Sequence, residues 1–333
     1  MKRVIPYILV LLLITAGCGN NSAPATENPA AGAAVAPTEP CRFCGQAIPE
    51  GTAYESPLLV VLDNAAPARP QSGLTQACLV YEVPVEGGLT RLLAVFGHRF
   101  TGEIGPVRSV RPCFAVLALE HGGILAYCGA SPRGEAALRE LRVANINEIS
   151  NSQGFFRRSG RKAPYNLYTD PELLLAAAER LSAAPAGKRE PVFTVGHNAP
   201  IGGESAVQVQ IKYSGDAVAE YIFDSQSGLY RRSVNGKPHL DAGGGQLTAG
   251  NLVVQFVNIR QEEPGSERLD ISLAGHGAGY YFAGGQAFPL AWSKADNAAP
   301  TRYTVNGSEL IFSPGTTWIH LVPSRRRNGV LFH

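Results

Sequence analysis

Between Leu58 and Leu62 the chain runs Leu-Leu-Val-Val-Leu with no polar residue, then stops at Asp63-Asn64. An unbroken apolar run closed by turn residues predicts a buried strand. Cys78 to Val85 alternates instead, placing Leu79, Tyr81, Val83 and Val85 on one face and Glu82 and Glu86 on the other. Leu89 to Phe96, beyond Gly87-Gly88, is its expected hairpin partner. The period then changes. Pro112 to Glu120 predicts a helix, with proline in the first turn and Gly122-Gly123 at the end. Gly123 to Cys128 returns as a strand. Ser131-Pro132 opens a second helix through Leu141, and Asp170-Pro171-Glu172 a third through Leu181, each with a capping side chain before a proline.

From Ala206 on, alternation dominates. Val207, Val209, Ile211 and Tyr213 share one face, and Leu252 to Ile259, Leu269 to Leu273 and Thr317 to Val322 read as further strands. Asn235-Gly236 and Asn306-Gly307 are hairpin turns, because both residues tolerate the left-handed backbone such turns need. The expected fold is therefore α+β. A mixed sheet-and-helix N-terminal domain (56–196) precedes a smaller, mainly antiparallel β domain (205–325), with the Gly- and Pro-rich segment from Pro185 to Glu204 as boundary.

The first 55 residues have another character. Lys2-Arg3 precedes an apolar run from Val4 to Thr15, too short for a spanning helix of roughly 20 residues. It ends Thr15-Ala16-Gly17-Cys18, which predicts a lipoprotein signal peptide (1–17) cleaved before a cysteine that receives diacylglycerol. Residues 18–55 are expected to be the lipidated Cys18 followed by a low-complexity tether, carrying the body on the extracytoplasmic face of the cell membrane. Loss of Lys2 and Arg3 with the signal leaves 27 basic against 27 acidic residues. A neutral chain lacks the basic face of a nucleic-acid binder.

Six cysteines are present. Cys41-Arg-Phe-Cys44-Gly resembles one knuckle of a zinc ribbon, but no second CxxC or paired histidine follows to complete four ligands. The pair is then a half-site for zinc, a local disulfide, or two free thiols. Cys78, Cys113 and Cys128 sit among apolar neighbours and read as small buried hydrophobes.

Several longer blocks carry a resemblance. Ala68-Arg69-Pro70-Gln71-Ser72-Gly73-Leu74, Gly105-Pro106-Val107-Arg108-Ser109-Val110-Arg111, Ala163-Pro164-Tyr165-Asn166-Leu167-Tyr168 and Gly236-Lys237-Pro238-His239-Leu240-Asp241 are similar to the YerB-like lipoproteins. That family is defined by paired N- and C-terminal domains of unknown function (family 3048). The match spans Pro57 to Pro323 and leaves Cys41 and Cys44 outside it. The resemblance implies a lipoprotein with an α+β domain followed by a β-rich one, and implies no activity.

Candidate chemistry gathers in residues 63–111. Arg108 and Arg111 stand at the start of the first helix, whose N-terminus already carries partial positive charge, so an anion between them would relieve the repulsion. Arg69 and Arg91 are expected to join them as an anion-binding cluster, with Asp63, Glu82 and Glu86 ordering the arginines or closing them into an internal salt-bridge network. The ligand is expected to be an anionic envelope component or an envelope protein partner. The competing reading is a cell-wall glycan or peptide hydrolase using Glu82 or Glu86 with Asp63. His239 and Asp241 would share a face if extended, as metal ligands or a base with its orienting acid, although a solvated loop is the simpler fate. Tyr165, Tyr168, Trp292 and Trp318 are either sugar-stacking or core aromatics.

Overall fold

The computed structural model describes residues 37–185, 190–197, 200–215 and 217–333; the signal peptide and Cys18 lie outside them. Residues 38–49, expected in the tether, form a hairpin of β1 (Thr38–Pro40) and β2 (Ala47–Pro49). The apolar run becomes the centre of β3 (Ala53–Asp63), where Leu58 to Leu62 are wholly buried. Next come β4 (Leu79–Pro84), antiparallel β5 (Thr90–His98), helix α1 (Pro112–His121), β6 (Ile124–Tyr127), helix α2 (Pro132–Glu140), β7 (Asn145–Asn147) and helix α3 (Pro171–Leu181). The two predicted caps form: Ser131 Oγ accepts from the Gly134 amide at 3.1 Å and Asp170 Oδ1 from that of Leu173 at 2.8 Å. At α1 the N-cap is Arg111, whose side chain caps nothing.

The chain then makes a meander of β8 (Gln208–Lys212), β9 (Val218–Asp224) and β10 (Leu229–Val234). Asn235 and Gly236, with φ of 51° and 72°, then turn β10 back onto the short strand Lys237–Pro238. Val209, Ile211 and Tyr213 are buried as expected, whereas Val207 precedes the strand and is exposed. Strands β11 (Asn251–Gln261), β12 (Gly275–Ala283), β13 (Gln286–Lys294), β14 (Arg302–Val305) and β15 (Thr317–Pro323) follow, and β16 (Val330–Phe332) returns to pair with β8.

One large mixed sheet draws on both halves of the chain, in the order β14-β13-β12-β11-β15-β4-β5-β3-β6-β7. The join is β15, which runs parallel to β11 on one side and to β4 on the other. Side chains alternate across β4 and β5, yet both faces are covered. Leu79, Tyr81, Val83, Leu93 and Val95 pack with Phe114 and Leu117 of α1. Val80, Leu92, Ala94 and Phe96 point the other way, into a second core with Leu174 of α3 and Val209, Ile211 and Tyr221 of the meander. Residues 37–333 thus form one compact unit. Among the described residues no helix is long and apolar enough to cross a membrane.

Candidate functional site

The strand ends explain where the charged residues meet. Asp63 closes β3, Arg91 lies opposite it near the start of β5, and Val83 is opposite Arg91 at the end of β4. All three therefore share one face and one end of the sheet. The segment leading to α1 crosses the same end, where the Arg108 amide donates to the Val61 carbonyl at 2.8 Å. The β4–β5 turn supplies Glu86. Together Asp63, Glu86, Arg91, Arg108, Arg111 and Tyr165 line an open cavity of about 600 Å³, to which Glu267 and Arg268 also contribute.

Two arginines in it are neutralised from within the fold. Arg108 pairs with Asp63 at 2.6 Å and lies 5.8 Å from the Tyr165 ring centroid. Arg111 takes both oxygens of Glu86, at 2.6 and 3.1 Å. Burial pushes the Glu86 carboxyl up, but the Arg111 hydrogen bonds together with its own backbone amide and the charges of Arg111 and Arg91 outweigh it, and the net shift is downward. Arg91 differs. It donates to the Ser109 carbonyl at 2.8 Å and, among the described residues, makes no ion pair of its own. Burial first, and then the neighbouring Arg111, pull its pKa down to about 10. Glu86 and Asp63 act on it from nearby in the opposite sense, but among the described residues neither is paired with it.

The remaining candidates lie elsewhere. Arg69 does not line the cavity, because its guanidinium turns back to the Asn64 carbonyl at 2.7 Å and to Asn64 Oδ1 at 3.3 Å. Glu82 is one residue out of phase with Val83, so it points through the opposite face of the sheet from Asp63. There it is buried against Arg232 at 2.7 Å and accepts from Asn64 and Thr90. Burial alone would raise its pKa, but Arg232 and then His320 bring it below the usual carboxylate value. A catalytic acid must reach substrate and hold a proton; Glu82 does neither, and Glu86 is held ionised by Arg111.

His239 is not in a solvated loop. It is buried, with Nδ1 accepting from Arg232 Nε at 3.0 Å, so Nε2 donates to Gln71 Oε1 at 2.7 Å. Burial, followed by repulsion from Arg232, keeps this imidazole neutral, with its pKa well below the ordinary value. Asp241 faces elsewhere, accepting from the amides of Gly243 at 2.9 Å and Thr75 at 3.3 Å, so the two do not act as base and orienting acid. Trp292, Trp318 and Tyr168 are core residues, leaving Tyr165 as the aromatic at the cavity.

Burial pushes the Cys113 thiol up to about 12 and that of Cys128 up to about 11, as expected for unreactive thiols. Cys78 departs from the sequence reading. It stands beside Cys41, Cys44 and His98, with the four donor atoms within 4.8 Å of one another. No local signal joined Cys78 or His98 to the CxxC; their meeting is a product of strand pairing.

Residues 43–184 match the family described as "Protein of unknown function (DUF3048) N-terminal domain", and residues 209–319 match its C-terminal domain. "Putative lipoprotein YerB" of Bacillus subtilis (strain 168) is 31% identical over 274 residues, 80% of this chain and 81% of that protein. The crystal structure of the YerB protein from Bacillus subtilis superposes with a TM-score of 0.79 at 27% identity, covering 88% of this chain and 98% of that one.

Proposed function

The chain belongs to the DUF3048 family, and from that premise we propose that it is a lipid-anchored protein of the extracytoplasmic membrane face that binds an anionic envelope component in the cavity beside Arg91. The anchor would be diacylglycerol on Cys18, at the end of the signal sequence; the relative's description as a lipoprotein supports it. The ligand reading is carried by one observation: Arg91 faces the cavity without an ion pair while Arg108 and Arg111 beside it each hold a carboxylate. Withdrawal from water weakens a cation unless an anion meets it. A carboxylate or phosphate fits the planar guanidinium fork. The volume of about 600 Å³ lies within the range of about 300–1,000 Å³ for small-molecule clefts. It suits an acidic sugar or short phosphodiester unit better than a bare ion. An acidic side chain of an envelope protein would satisfy the same chemistry.

The test is calorimetric titration of a Cys18→Ala form with muropeptides and teichoic-acid fragments. Binding that weakens as salt rises is expected, because the contact is charge on charge. No heat with any fragment, and no acidic partner crosslinked in intact cells, would remove the ligand reading. The anchor is tested apart: radiolabelled palmitate should enter the wild-type chain and not the Cys18→Ala form.

A further inference from the structure

The three sulfurs and one imidazole at the first hairpin have the dimensions of a metal site. Cys41 Sγ and Cys78 Sγ are 3.7 Å apart, and Cys78 Sγ is 3.5 Å from His98 Nδ1. A tetrahedral zinc with Zn–S of about 2.3 Å and Zn–N of about 2.05 Å sets its ligands about 3.8 Å apart for two sulfurs and about 3.6 Å for sulfur and nitrogen. A disulfide would bring two sulfurs to about 2.05 Å, and none of the described cysteines is so paired. Both separations match edges of a zinc tetrahedron, and all four donor atoms lie within 4.8 Å of one another.

The local backbone is built for it. In Cys41-Arg42-Phe43-Cys44-Gly45 the Gly45 amide donates to the Cys41 carbonyl at 2.6 Å, and the Cys41 amide donates to that of Gln46 at 2.8 Å. This tight turn aims both sulfurs the same way. Gly45 holds a left-handed φ of 67°, and a Cβ there would sit 2.6 Å from Val195 Cγ1. Phe43 then lies over Gly97, where a Cβ would fall 2.4 Å from its ring. That contact seats the knuckle beside His98, the last residue of β5. Cys78 immediately precedes β4, its amide bonded to the Val95 carbonyl at 2.8 Å, so strand pairing delivers the third sulfur next to the imidazole.

We propose that Cys41, Cys44, Cys78 and His98 bind one structural zinc ion, which clamps the hairpin at the start of the body onto the ends of β4 and β5. Thiolate and imidazole donors select zinc over the oxygen-seeking calcium and magnesium. Four protein ligands leave no open position, and the three cysteines are at most 1% exposed, so the site is structural rather than catalytic. Binding displaces the thiol protons to solvent, and the ion takes their place as the charge that holds the sulfurs together. The Cys44 carbonyl accepts from the Gly315 amide at 2.8 Å, so the clamp reaches the second half of the chain.

The experiment is elemental analysis of the full chain purified without added metal, with cobalt exchange as a second readout. One zinc per chain is expected, and the cobalt form should show the strong visible bands of tetrahedral thiolate ligation. Cys78→Ser and His98→Ala should each lose the metal, whereas Cys113→Ser, outside the cluster, should keep it. Should Cys78→Ser fail to fold, chelation of the wild-type chain gives the same answer: removal should lower its melting temperature, and zinc should restore it. Metal at background in the folded wild-type chain, or a Cys41–Cys44 or Cys41–Cys78 disulfide found by peptide mapping, would overturn the proposal.

Discussion

Arg232 and Glu82, 150 positions apart in sequence, meet as an ion pair 2.7 Å long with no more than 3% of either side chain exposed. Glu82 comes from β4 and Arg232 from β10, so the pair joins the large sheet to the meander that covers it. The guanidinium also lies 4.2 Å from the Trp318 ring centroid on β15. Its hydrogens are taken up in order: Nε by His239, one terminal nitrogen by Glu82 and the other by the Tyr221 hydroxyl. Tyr213 donates to the Glu82 carbonyl, which leaves its oxygen to accept from His320 Nδ1, while His320 Nε2 accepts from Tyr221. Each member of this network has a partner, and that satisfaction lets charge be buried at all.

Removing one partner should therefore be costly. Arg232→Met is expected to destabilise the protein by about 3–5 kcal/mol, because Glu82 is left as an uncompensated buried carboxylate. Replacing both residues, as Glu82→Leu with Arg232→Met, should recover part of that loss. Denaturant unfolding of the two singles and the double measures it; a single variant within experimental error of wild type would contradict the network's role.

A second buried pair sits across the sheet. Lys294 of β13 and Glu120 of α1 meet at 2.9 Å with both side chains fully enclosed, and Glu120 also accepts from the Thr301 amide. It shares no partner with the Arg232 network among the described residues. The losses from Lys294→Met and Arg232→Met should add to within about 0.5 kcal/mol. Strong coupling in the double variant would mean that the two faces of the sheet do not behave independently.

Acid should begin to destabilise the protein before its carboxylates titrate. Burial first, with Lys294 also opposing the charged form, lowers the His121 pKa to about 4; burial first, and then Arg232, takes His320 to about 3. The unfolded chain binds these protons near pH 6.5, so between there and pH 4 it holds more protons than the folded one. Stability is complete above pH 6.5 and falls with pH by up to about 1.4 kcal/mol per unit for each imidazole. Melting temperatures from pH 8 to 4 should show the decline starting near 6.5, and His121→Gln should make it shallower while leaving the His320 share. A flat profile down to pH 4.5 would contradict the neutral burial of these rings.

What could be read from sequence was what is local. The Leu58–Leu62 run, the Ser131 and Asp170 caps and the Asn-Gly turns each carry their cause within a few residues, and each formed. Residues that depend on distant partners were not legible. Glu82 read as the polar face of a half-exposed strand because nothing nearby announces that a meander 150 positions later covers it. The expected pairing of Glu82 with Asp63 fails on parity alone, but parity across strands is known only once their register is. Cys41 and Cys44 read as an incomplete site because the donors beside them, Cys78 just before β4 and His98 at the end of β5, are brought there by strand pairing. The Arg108 and Arg111 cluster was visible as composition; which arginine lacks a carboxylate was not.

Anion binding depends on Arg91, and it is tested by the affinity of an Arg91→Ala form for whichever envelope fragment the wild-type chain binds, taken beside its melting temperature. Loss of one charge-assisted contact of about 1.5–3 kcal/mol predicts affinity weaker by roughly tenfold or more, with the melting temperature little changed. Equal affinity in the two forms, or binding that survives Arg91→Ala but is lost on a substitution far from the cavity, would contradict the account.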